Sequence, residues 1–451
     1  MSKKQIPESG IYDARELGVP KVLVLGLQHM FAMFGATVLV PALTGLSVSA
    51  TLLFAGLGTL LFHLLAKGKV PAFLGSSFAF IGGYQAIAMV GGELDTSLLP
   101  YACFGVALAG LMYVILSALF KVFGVKKVMR FFPPIVTGPV IICIGLTLSS
   151  SAINNCQTNW WIALVAILVV VVANIFGKGM IKIIPILLGV VASYLVAALT
   201  GNVDFSAVKD AAWVGLPFRW GNTVFGLFGR DDLDVSLLIT AAITIMPLSL
   251  ATMVEHIGDM CAISSTCGRN YLADPGLHRT LLGDGLATTL ASLFGAPANT
   301  TYGENTGVLA LSKVYDPKVI RIAAVLAILF SFSPKFEALV AAMPAATIGG
   351  VSMILYGMIS AVGVRNVVEN KVDFTKSRNV LIAALIMVLS IGISYSSLGA
   401  IRFNLGSVTI SLSGLAVGAI VGIILNAILP GKDYEFGSDQ QGDKSVNFIV
   451  Q

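Results

Sequence analysis

Residues 22–66 read VLVLGLQHMFAMFGATVLVPALTGLSVSATLLFAGLGTLLFHLLA, and no side chain among them is formally charged. Two further stretches, 131–177 and 403–431, also lack charged side chains. A run of about 18 or more apolar residues is typical of a helix that crosses a lipid bilayer. Each stretch is longer than that, so the sequence predicts a polytopic membrane protein.

The composition of the whole chain supports this interpretation. Of its 451 residues, 56% are hydrophobic and 11% are charged, whereas an ordinary soluble domain is about 25% charged. A soluble enzyme, a disordered chain and a nucleic-acid-binding module are therefore excluded, although the formal net charge is +5. The five cysteines show neither a CxxC pair nor a metal-ligand spacing, so we expect no disulfide framework, metal site or cofactor.

Glycine, proline and charged residues divide the apolar sequence into fourteen predicted spans. These lie near 19–43, 48–66, 70–91, 100–122, 131–152, 159–177, 180–200, 236–258, 281–296, 300–314, 320–341, 344–363, 379–398 and 408–430. With the N-terminus inside, 23 Lys and Arg residues fall on the inner side and 5 on the outer side. Basic residues are enriched in cytoplasmic loops, so both termini are predicted to be cytoplasmic, and residues 201–235 form the longest outer loop.

Weak internal similarity divides these spans into two halves. Residues 133–140 (PPIVTGPV) in the fifth span resemble residues 344–351 (PAATIGGV) in the twelfth span. Repeats of seven spans place the second copy upside down in the membrane, as in secondary transporters whose sites form at paired broken helices. The third and tenth spans are also seven apart, and both are short and interrupted by glycine. We therefore expect an all-α protein with a 7+7 inverted repeat.

Three acidic residues fall in or beside the predicted spans. Glu255 and Asp259 are four positions apart and share one helix face. An ionised side chain near the bilayer centre costs about 2.5–3.5 kcal/mol, so it normally faces a cavity or a partner. Two carboxylates on one face repel each other unless one holds a proton or a cation lies between them. The alternative is that the span ends at Glu255 and that both acids are solvated at the inner surface.

The third acid, Glu304, lies in the polar segment 299–307 (NTTYGENTG). Irregular backbone at membrane depth is tolerated only where it is buried in protein or lines water. Gly303 would let a ligand approach the main chain, and the next half-helix would point free N–H groups at that ligand. The segment 75–78 (GSSF) in the third span is its counterpart. A kinked structural helix packed through small residues is the alternative.

Other polar residues in the spans allow two interpretations. Gln28 and His29 could hydrogen-bond to the eighth or tenth span, or form a structural pair. His256 is rotated about 100° from Glu255 on the same helix and is predicted to be structural. Asp284 is predicted to be interfacial, and Tyr356 could contact a ligand or fill the core.

Four motifs, in this order, identify a family resemblance: QHMFAMFGATVLVP at 28–41, PAFLGSSFAF at 71–80, EHIG at 255–258 and NTTYGEN at 299–305. The chain resembles the nucleobase–cation symporter-2, or nucleobase–ascorbate transporter, family from about Val19 to Gly431, and most closely its uracil-transporting bacterial members. The resemblance implies short strands in spans three and ten. It also implies a core domain (19–122 and 236–341), a gate domain (129–200 and 344–430) and cytoplasmic tails (1–18 and 431–451).

The resemblance further implies roles for individual residues. Glu255 and Glu304 would bind the nucleobase, and Asp259 and Glu255 would carry the coupling proton. The remaining candidates are Phe78 and Gly303 as backbone N–H donors, Ala36, Ser77, Tyr302 and Tyr356 as pocket lining, and Gln28, His29 and Asn305 as supporting residues. Uracil presents N–H donors and C=O acceptors around a flat ring, which carboxylates, backbone N–H groups and aromatic side chains can bind.

The expected function is uracil import by cation symport and alternating access in the bacterial plasma membrane. Asp259 departs from the pattern, because some uracil-transporting members carry His there, and this leaves a xanthine or other purine permease as the alternative. Proton or sodium coupling and a homodimeric state stay open, and no nucleic-acid partner is expected. An anion transporter or channel is disfavoured by the acids. An intramembrane enzyme is disfavoured because no nucleophile or metal cluster accompanies them.

Overall fold

The computed structural model describes residues 10–90, 93–229, 233–405 and 408–432. Residues 1–9 and 433–451, which belong to the predicted tails, lie outside the described residues. The helices of the first half are α1 (Val19–Thr44), α2 (Val48–Leu65), α3 (Ile81–Ala88), α4 (Leu99–Phe123), α5 (Val125–Met129), α6 (Pro134–Thr147), α7 (Ser149–Gln157), α8 (Trp160–Phe176), α9 (Met180–Ile183) and α10 (Pro185–Leu199).

The second half continues this helical pattern. Its helices are α11 (Ser206–Asp210), α12 (Val224–Leu227), α13 (Val235–Ile245), α14 (Leu248–Cys267), α15 (Leu277–Leu293), α16 (Gly303–Ser312), α17 (Pro317–Ser331), α18 (Pro334–Ala341), α19 (Ala345–Glu369), α20 (Ser377–Ser394) and α21 (Gly414–Ile428). The described residues also form six short strands: β1 (Leu74–Ser76), β2 (Met89–Val90), β3 (Glu93–Leu94), β4 (Asn299–Thr301), β5 (Ala400–Leu405) and β6 (Val408–Ser413). Short 3-10 helices occupy Ala14–Leu17, Thr96–Leu98 and Trp220–Asn222, and a π-helical turn occupies Leu272–Gly276.

Many of these helices are suited to a bilayer. Within the described ranges, seven helical stretches are long and apolar enough to cross a membrane, if helices that continue one another are joined. The pair α17 and α18 would add an eighth span, bent by 88°, and α8, α10 and α21 are shorter apolar helices. The molecule is a multi-pass membrane protein, mostly helical, as the sequence predicts.

The predicted end of the eighth span is wrong. Helix α14 does not stop at residue 258 but continues to Cys267, where Gly268 adopts a left-handed conformation with φ of 62°. Glycine tolerates this conformation without steric cost, which makes it a common end of a helix. Glu255 and Asp259 therefore lie inside a continuous helix, and the alternative in which the span ends at Glu255 is also wrong.

The predicted third and tenth spans are each broken into a strand and a half-helix. Strands β1 and β4 pair in antiparallel fashion, with Gly75 opposite Thr300, and helices α3 and α16 follow them. A side chain at Gly75 would not fit, because its Cβ would lie 2.4 Å from the Tyr302 ring. The prediction of short strands in these two spans is confirmed.

The free edges of this two-stranded sheet are satisfied by hydroxyl groups from neighbouring helices. The N–H of Leu74 donates to Thr59 Oγ1 of α2 at 2.9 Å, and Thr288 Oγ1 of α15 donates to the carbonyl of Asn299 at 2.9 Å. Unpaired backbone groups away from water are costly, so these hydroxyls allow two isolated strands to exist deep in the protein. The sheet is thereby fixed between α2 and α15.

Other features lie outside the predicted pattern. Strands β5 and β6 form an antiparallel hairpin, and β6 occupies residues 408–413 at the beginning of the predicted fourteenth span. Residues 408–413 read VTISLS, and this strict alternation of apolar and polar side chains is typical of a strand. The prediction joined the segment to the apolar run that follows it and therefore placed it in the wrong class of structure. Strands β2 and β3 form a second, smaller hairpin, and the predicted outer loop contains α11 and α12.

Candidate substrate-binding site

Helix α14 brings two carboxyl groups to the paired strands. Glu255 and Asp259 lie one turn apart and are half-buried, and α14 packs against both β4 and α16. Asp259 Oδ2 accepts a hydrogen bond of 2.9 Å from the hydroxyl of Thr301 on β4. Glu255 Oε2 is buried and has no hydrogen-bond partner among the described residues. This face of α14 therefore presents a carboxylate oxygen that is available to a ligand.

The third carboxyl group lies at the beginning of a half-helix. Glu304 is the second residue of α16 and is half-buried. Among the described residues, the N-cap side chains of α3 and α16 form no capping hydrogen bond, so the partial positive charge of each N-terminus remains available. In α3, the N–H groups of Ile81 and Gly83 are already bonded to backbone carbonyls. The first residue of α16, Gly303, is exposed, and no atom lies within 4 Å of the position of an added Cβ. A ligand can therefore approach this backbone.

Apolar side chains from four separate segments complete the region. Ala36, Phe78, Tyr302 and Tyr356 belong to one cluster of buried residues. The rings of Phe78 and Tyr356 are 5.7 Å apart at an interplanar angle of 75°, which is a favourable edge-to-face arrangement. Beside Phe78, the hydroxyl of Ser77 is buried without a hydrogen-bond partner among the described residues. Helix α19 thus brings Tyr356 to the residues that precede α3.

Tyr302 makes structural contacts that the sequence did not indicate. Its hydroxyl donates a hydrogen bond of 2.8 Å to the carbonyl of Ser76, and its ring packs against Gly75. The hydroxyl of Ser76 donates in turn to the carbonyl of Thr37 on α1 at 2.8 Å. Tyr302 therefore connects the end of β4 to β1 and α1, in addition to the lining role expected of it.

Of the two interpretations of Gln28 and His29, a hydrogen bond to the tenth span is observed for His29. The Asn305 side-chain amide donates to the carbonyl of His29 at 3.0 Å and lies 3.1 Å from His29 Nδ1. Both residues are buried, whereas the neighbouring Gln28 is half-buried. Asn305 is the third residue of α16, so this contact anchors the N-terminal turn of the half-helix to α1.

The prediction that Asp284 is interfacial is wrong. Helix α15 begins at Leu277 rather than near residue 281, and Asp284 lies well inside it. The side chains of Asp284 and His256 are both 0% exposed, and Asp284 Oδ2 lies 2.9 Å from His256 Nδ1. The prediction that His256 is structural agrees with this burial. The motif Gly283-Asp284-Gly285 is the sequence signal for this burial. The two glycines allow neighbouring helices to pack closely on both sides of Asp284, since a Cβ at Gly283 or Gly285 would lie within 3 Å of those helices.

Comparison with known families identifies the chain. A family model described as "Permease family" matches residues 20–399. The chain belongs to this permease family. Its resemblance to the nucleobase–cation symporter-2 transporters, expected from the four motifs, is thereby confirmed.

Individual relatives cover almost the whole permease. The uracil permease of Bacillus caldolyticus is 41% identical over 419 residues, covering 91% of this chain and 92% of that protein. The uracil permease of Bacillus subtilis is 39% identical over 444 residues, covering 95% of this chain and 97% of that protein. These relatives are named as permeases, so the chain is a transporter and not an enzyme.

Solved structures support the transporter fold of this permease. The transmembrane domain of the cyanobacterial bicarbonate transporter BicA aligns with a TM-score of 0.55 at 16% sequence identity. The alignment covers 93% of this permease and 99% of that domain. At this identity the likeness concerns the fold alone.

Proposed function

We propose that this permease imports uracil together with a proton by alternating access. Two relatives that match at 41% and 39% identity over most of their length are named uracil permeases. Acidic side chains at the candidate site suit a neutral base with N–H donors better than an anion. The observation that carries the proposal is the pairing of β1 with β4, which places two uncapped half-helices after neighbouring strands, with β4 and α16 packed against the helix that carries Glu255 and Asp259.

The proposed site has a group for each part of the uracil ring. Glu255 and Glu304 accept hydrogen bonds from the ring N–H groups, and the backbone N–H groups of Phe78 and Gly303 donate to the ring carbonyls. The buried Glu255 Oε2 and the open space beside Gly303 support this assignment. The side chains of Ala36, Ser77, Phe78, Tyr302 and Tyr356 line the pocket. A base that lacks one polar group would leave a buried partner unpaired, which favours selective binding.

Glu255 and Asp259 are the proposed coupling pair. They lie on one face of α14 and neither forms an ion pair with a basic residue among the described residues. Two like charges so placed are stabilised when one carboxyl group holds a proton. The hydroxyl of Thr301 already donates to Asp259, so proton transfer at this pair would also act on β4. Substrate binding and proton binding are coupled through this contact.

The proposed architecture has fourteen spans in two inverted sets of seven. Residues 19–122 and 236–341 form the core domain, residues 129–200 and 344–430 form the gate domain, and both termini face the cytoplasm across a bacterial plasma membrane. The contact between Phe78 and Tyr356 supports this division, because it joins a core residue to a gate residue beside the site. A movement of one domain against the other would change access to the base.

Transport in proteoliposomes tests this function. Uptake of radiolabelled uracil is measured with unlabelled uracil or xanthine as competitor, and with either a proton or a sodium gradient. We expect uracil to compete, xanthine not to compete, and an inward proton gradient to drive accumulation. Stronger competition by xanthine than by uracil would indicate a purine permease. Accumulation driven by a sodium gradient alone would show that sodium, and not the proton, is the coupling ion. No uptake of uracil would contradict the proposal.

A further inference from the structure

Residues 10–17, which we call the strap, lie across the ends of three helices. Ile11 forms a parallel bridge with the segment that follows α16: its N–H donates to the carbonyl of Lys313 at 2.8 Å, and its carbonyl accepts from the N–H of Tyr315 at 2.7 Å. Lys313 ends α16 in a left-handed conformation with φ of 54°. The strap therefore holds the chain at the point where α16 stops.

Tyr12 connects this point to the end of α14. Its hydroxyl donates a hydrogen bond of 2.5 Å to the carbonyl of Cys267, the last residue of α14. Its ring lies 5.3 Å from the ring of Tyr315, and the guanidinium of Arg269 lies 3.9 Å from the centre of the Tyr12 ring. One side chain thus contacts residues beyond the ends of both α14 and α16.

A third contact fixes the strap to α17. The N–H of Ala14 donates to Asp316 Oδ2 at 2.8 Å, and Asp316 is the residue that caps the beginning of α17. Ile11 and Ala14 are 5% and 1% exposed and pack in one apolar cluster with Val314 and Val319. Burial of this extent indicates that the strap is part of the folded structure and that its removal would expose apolar surface.

The two helices held by Tyr12 are those that carry the acids of the site. Glu255 and Asp259 lie on α14, Glu304 lies on α16, and the two helices pack against each other. Helix α16 has ten residues, and its first turn is held by the contact of Asn305 with His29. A helix of fewer than three turns takes its direction from what fixes its two ends, and the strap fixes the second end.

We propose that the strap sets the orientation of α16 relative to α14, and that Tyr12 is a positioning residue for Glu304 and Glu255. The expected effect on the affinity for uracil rests on the proposed function, whereas the expected effect on the orientation of α16 does not. Among the described residues, the contacts of Tyr12 lie at and just beyond the ends of α14 and α16, so Tyr12 acts on the base through these helices.

Three variants separate positioning from general stability. Tyr12→Phe removes the hydroxyl that bonds Cys267 and keeps the ring, whereas Tyr12→Ala removes both. Tyr395→Phe is the matched control, because the hydroxyl of Tyr395 also donates to a backbone carbonyl, that of Leu146 at 2.8 Å, and both residues belong to the proposed gate domain. We expect Tyr12→Phe to weaken uracil binding about threefold to tenfold, the range of one lost hydrogen bond, and Tyr12→Ala to weaken it further. Tyr395→Phe should bind like the parent.

Two measurements on each full-length variant test the proposal. Calorimetric titration gives the affinity for uracil, and hydrogen–deuterium exchange of the ligand-free protein reports on residues 302–306, far along the chain from the strap. Both Tyr12 variants should exchange faster there than the parent and Tyr395→Phe, at temperatures well below their unfolding midpoints. If Tyr12→Ala does not fold, Tyr12→Phe decides.

Unchanged exchange at residues 302–306 would overturn the proposal. Faster exchange with unchanged uracil affinity would also overturn it, because the strap would then not position the site. If the parent does not bind uracil, the proposed function fails, and the exchange measurement alone decides whether the strap orients α16.

Discussion

Helix α14 carries two pairs of ionisable groups in opposite surroundings. His256 and its partner Asp284 are fully buried and lie 2.9 Å apart. Glu255 and Asp259 are half-buried and face the paired strands, where Asp259 accepts from a threonine hydroxyl and Glu255 retains a free oxygen. Successive residues of a helix are rotated by about 100°, so Glu255 and His256 face different parts of the protein although they are adjacent.

The difference separates a structural pair from a pair that we propose to be functional. We call His256 with Asp284 the closed pair and Glu255 with Asp259 the open pair. The closed pair joins α14 to α15 through the 2.9 Å approach of Asp284 Oδ2 to His256 Nδ1, whereas Asp284 Oδ1 and His256 Nε2 have no hydrogen-bond partner among the described residues. In the open pair two acids lie together without a basic partner among the described residues, which is costly at membrane depth. Such an arrangement is expected where a ligand or a proton supplies the hydrogen bond or the positive charge that the protein itself does not provide. The following predictions test this distinction.

The largest effect is expected from opening the closed pair. His256→Ala leaves the Asp284 carboxyl group buried without its partner, a change that typically costs about 3–5 kcal/mol. We expect a strong loss of folded protein and a lower midpoint of thermal unfolding. The double variant His256→Leu with Asp284→Leu should recover much of this stability, because it removes both polar groups. A single variant as stable as the parent would contradict the structural role.

Glu255 of the open pair and Glu304 of α16 should instead control the affinity for uracil. Glu255→Gln and Glu304→Gln each remove a charge-assisted hydrogen bond, worth about 1.5–3 kcal/mol, so uracil binding should fall at least tenfold with little change in stability. Calorimetry measures the affinity. Glu337→Gln is the control, because Glu337 accepts from Ser47 outside the site. Near-normal affinity of either site variant would count against the assignment.

Asp259→Asn should affect coupling more than binding. The carboxylates assigned to the base remain, so uracil should still bind and exchange in counterflow. Uphill uptake driven by a proton gradient should fall, because one member of the proton-sharing pair is gone. Both assays use the same proteoliposomes. If this variant accumulates uracil as well as the parent does, Asp259 has no part in coupling, and Glu255 alone or sodium becomes the better account.

The sequence predicted the positions of the helices and the acidic residues of the site, but it did not predict most of the residues that these elements contact. Hydrophobic runs located α1, α4 and α8 within one or two residues. Spacing placed Glu255 and Asp259 on one helix face, and the four motifs indicated the family. Each of these inferences depends on residues that are close together in the chain or on a recognisable pattern.

Contacts between distant segments were missed. The partner of Asp284 lies on another helix, and the strap contacts residues about three hundred positions away. Local propensity and periodicity contain no information on which distant surface will cover a segment. A hydrogen bond from His29 to the eighth or tenth span was one of two interpretations, because polar residues in apolar spans need partners, but its partner Asn305 was not identified.

The smallest effect concerns a third, exposed pair, formed by Asp13 and Arg15 in the strap. Hydrogen bonds from the Arg15 side chain and backbone lower the pKa of Asp13 well below its usual value. The stability contributed by this group is complete above the usual pKa of an aspartate and is lost as pH falls through the lowered value. Hydrogen exchange of the strap, corrected for its intrinsic pH dependence, should therefore not change between pH 5 and 8. Opening of the strap at pH 5 would contradict this.

An experimental structure of the permease with uracil tests the central claim most directly. We predict the ring next to Phe78 and Tyr356, with its N–H groups within about 2.7–3.2 Å of carboxylate oxygens of Glu255 and Glu304. The closed pair of His256 and Asp284 should not contact it. Uracil bound elsewhere, or bound without contact to either glutamate, would contradict the account.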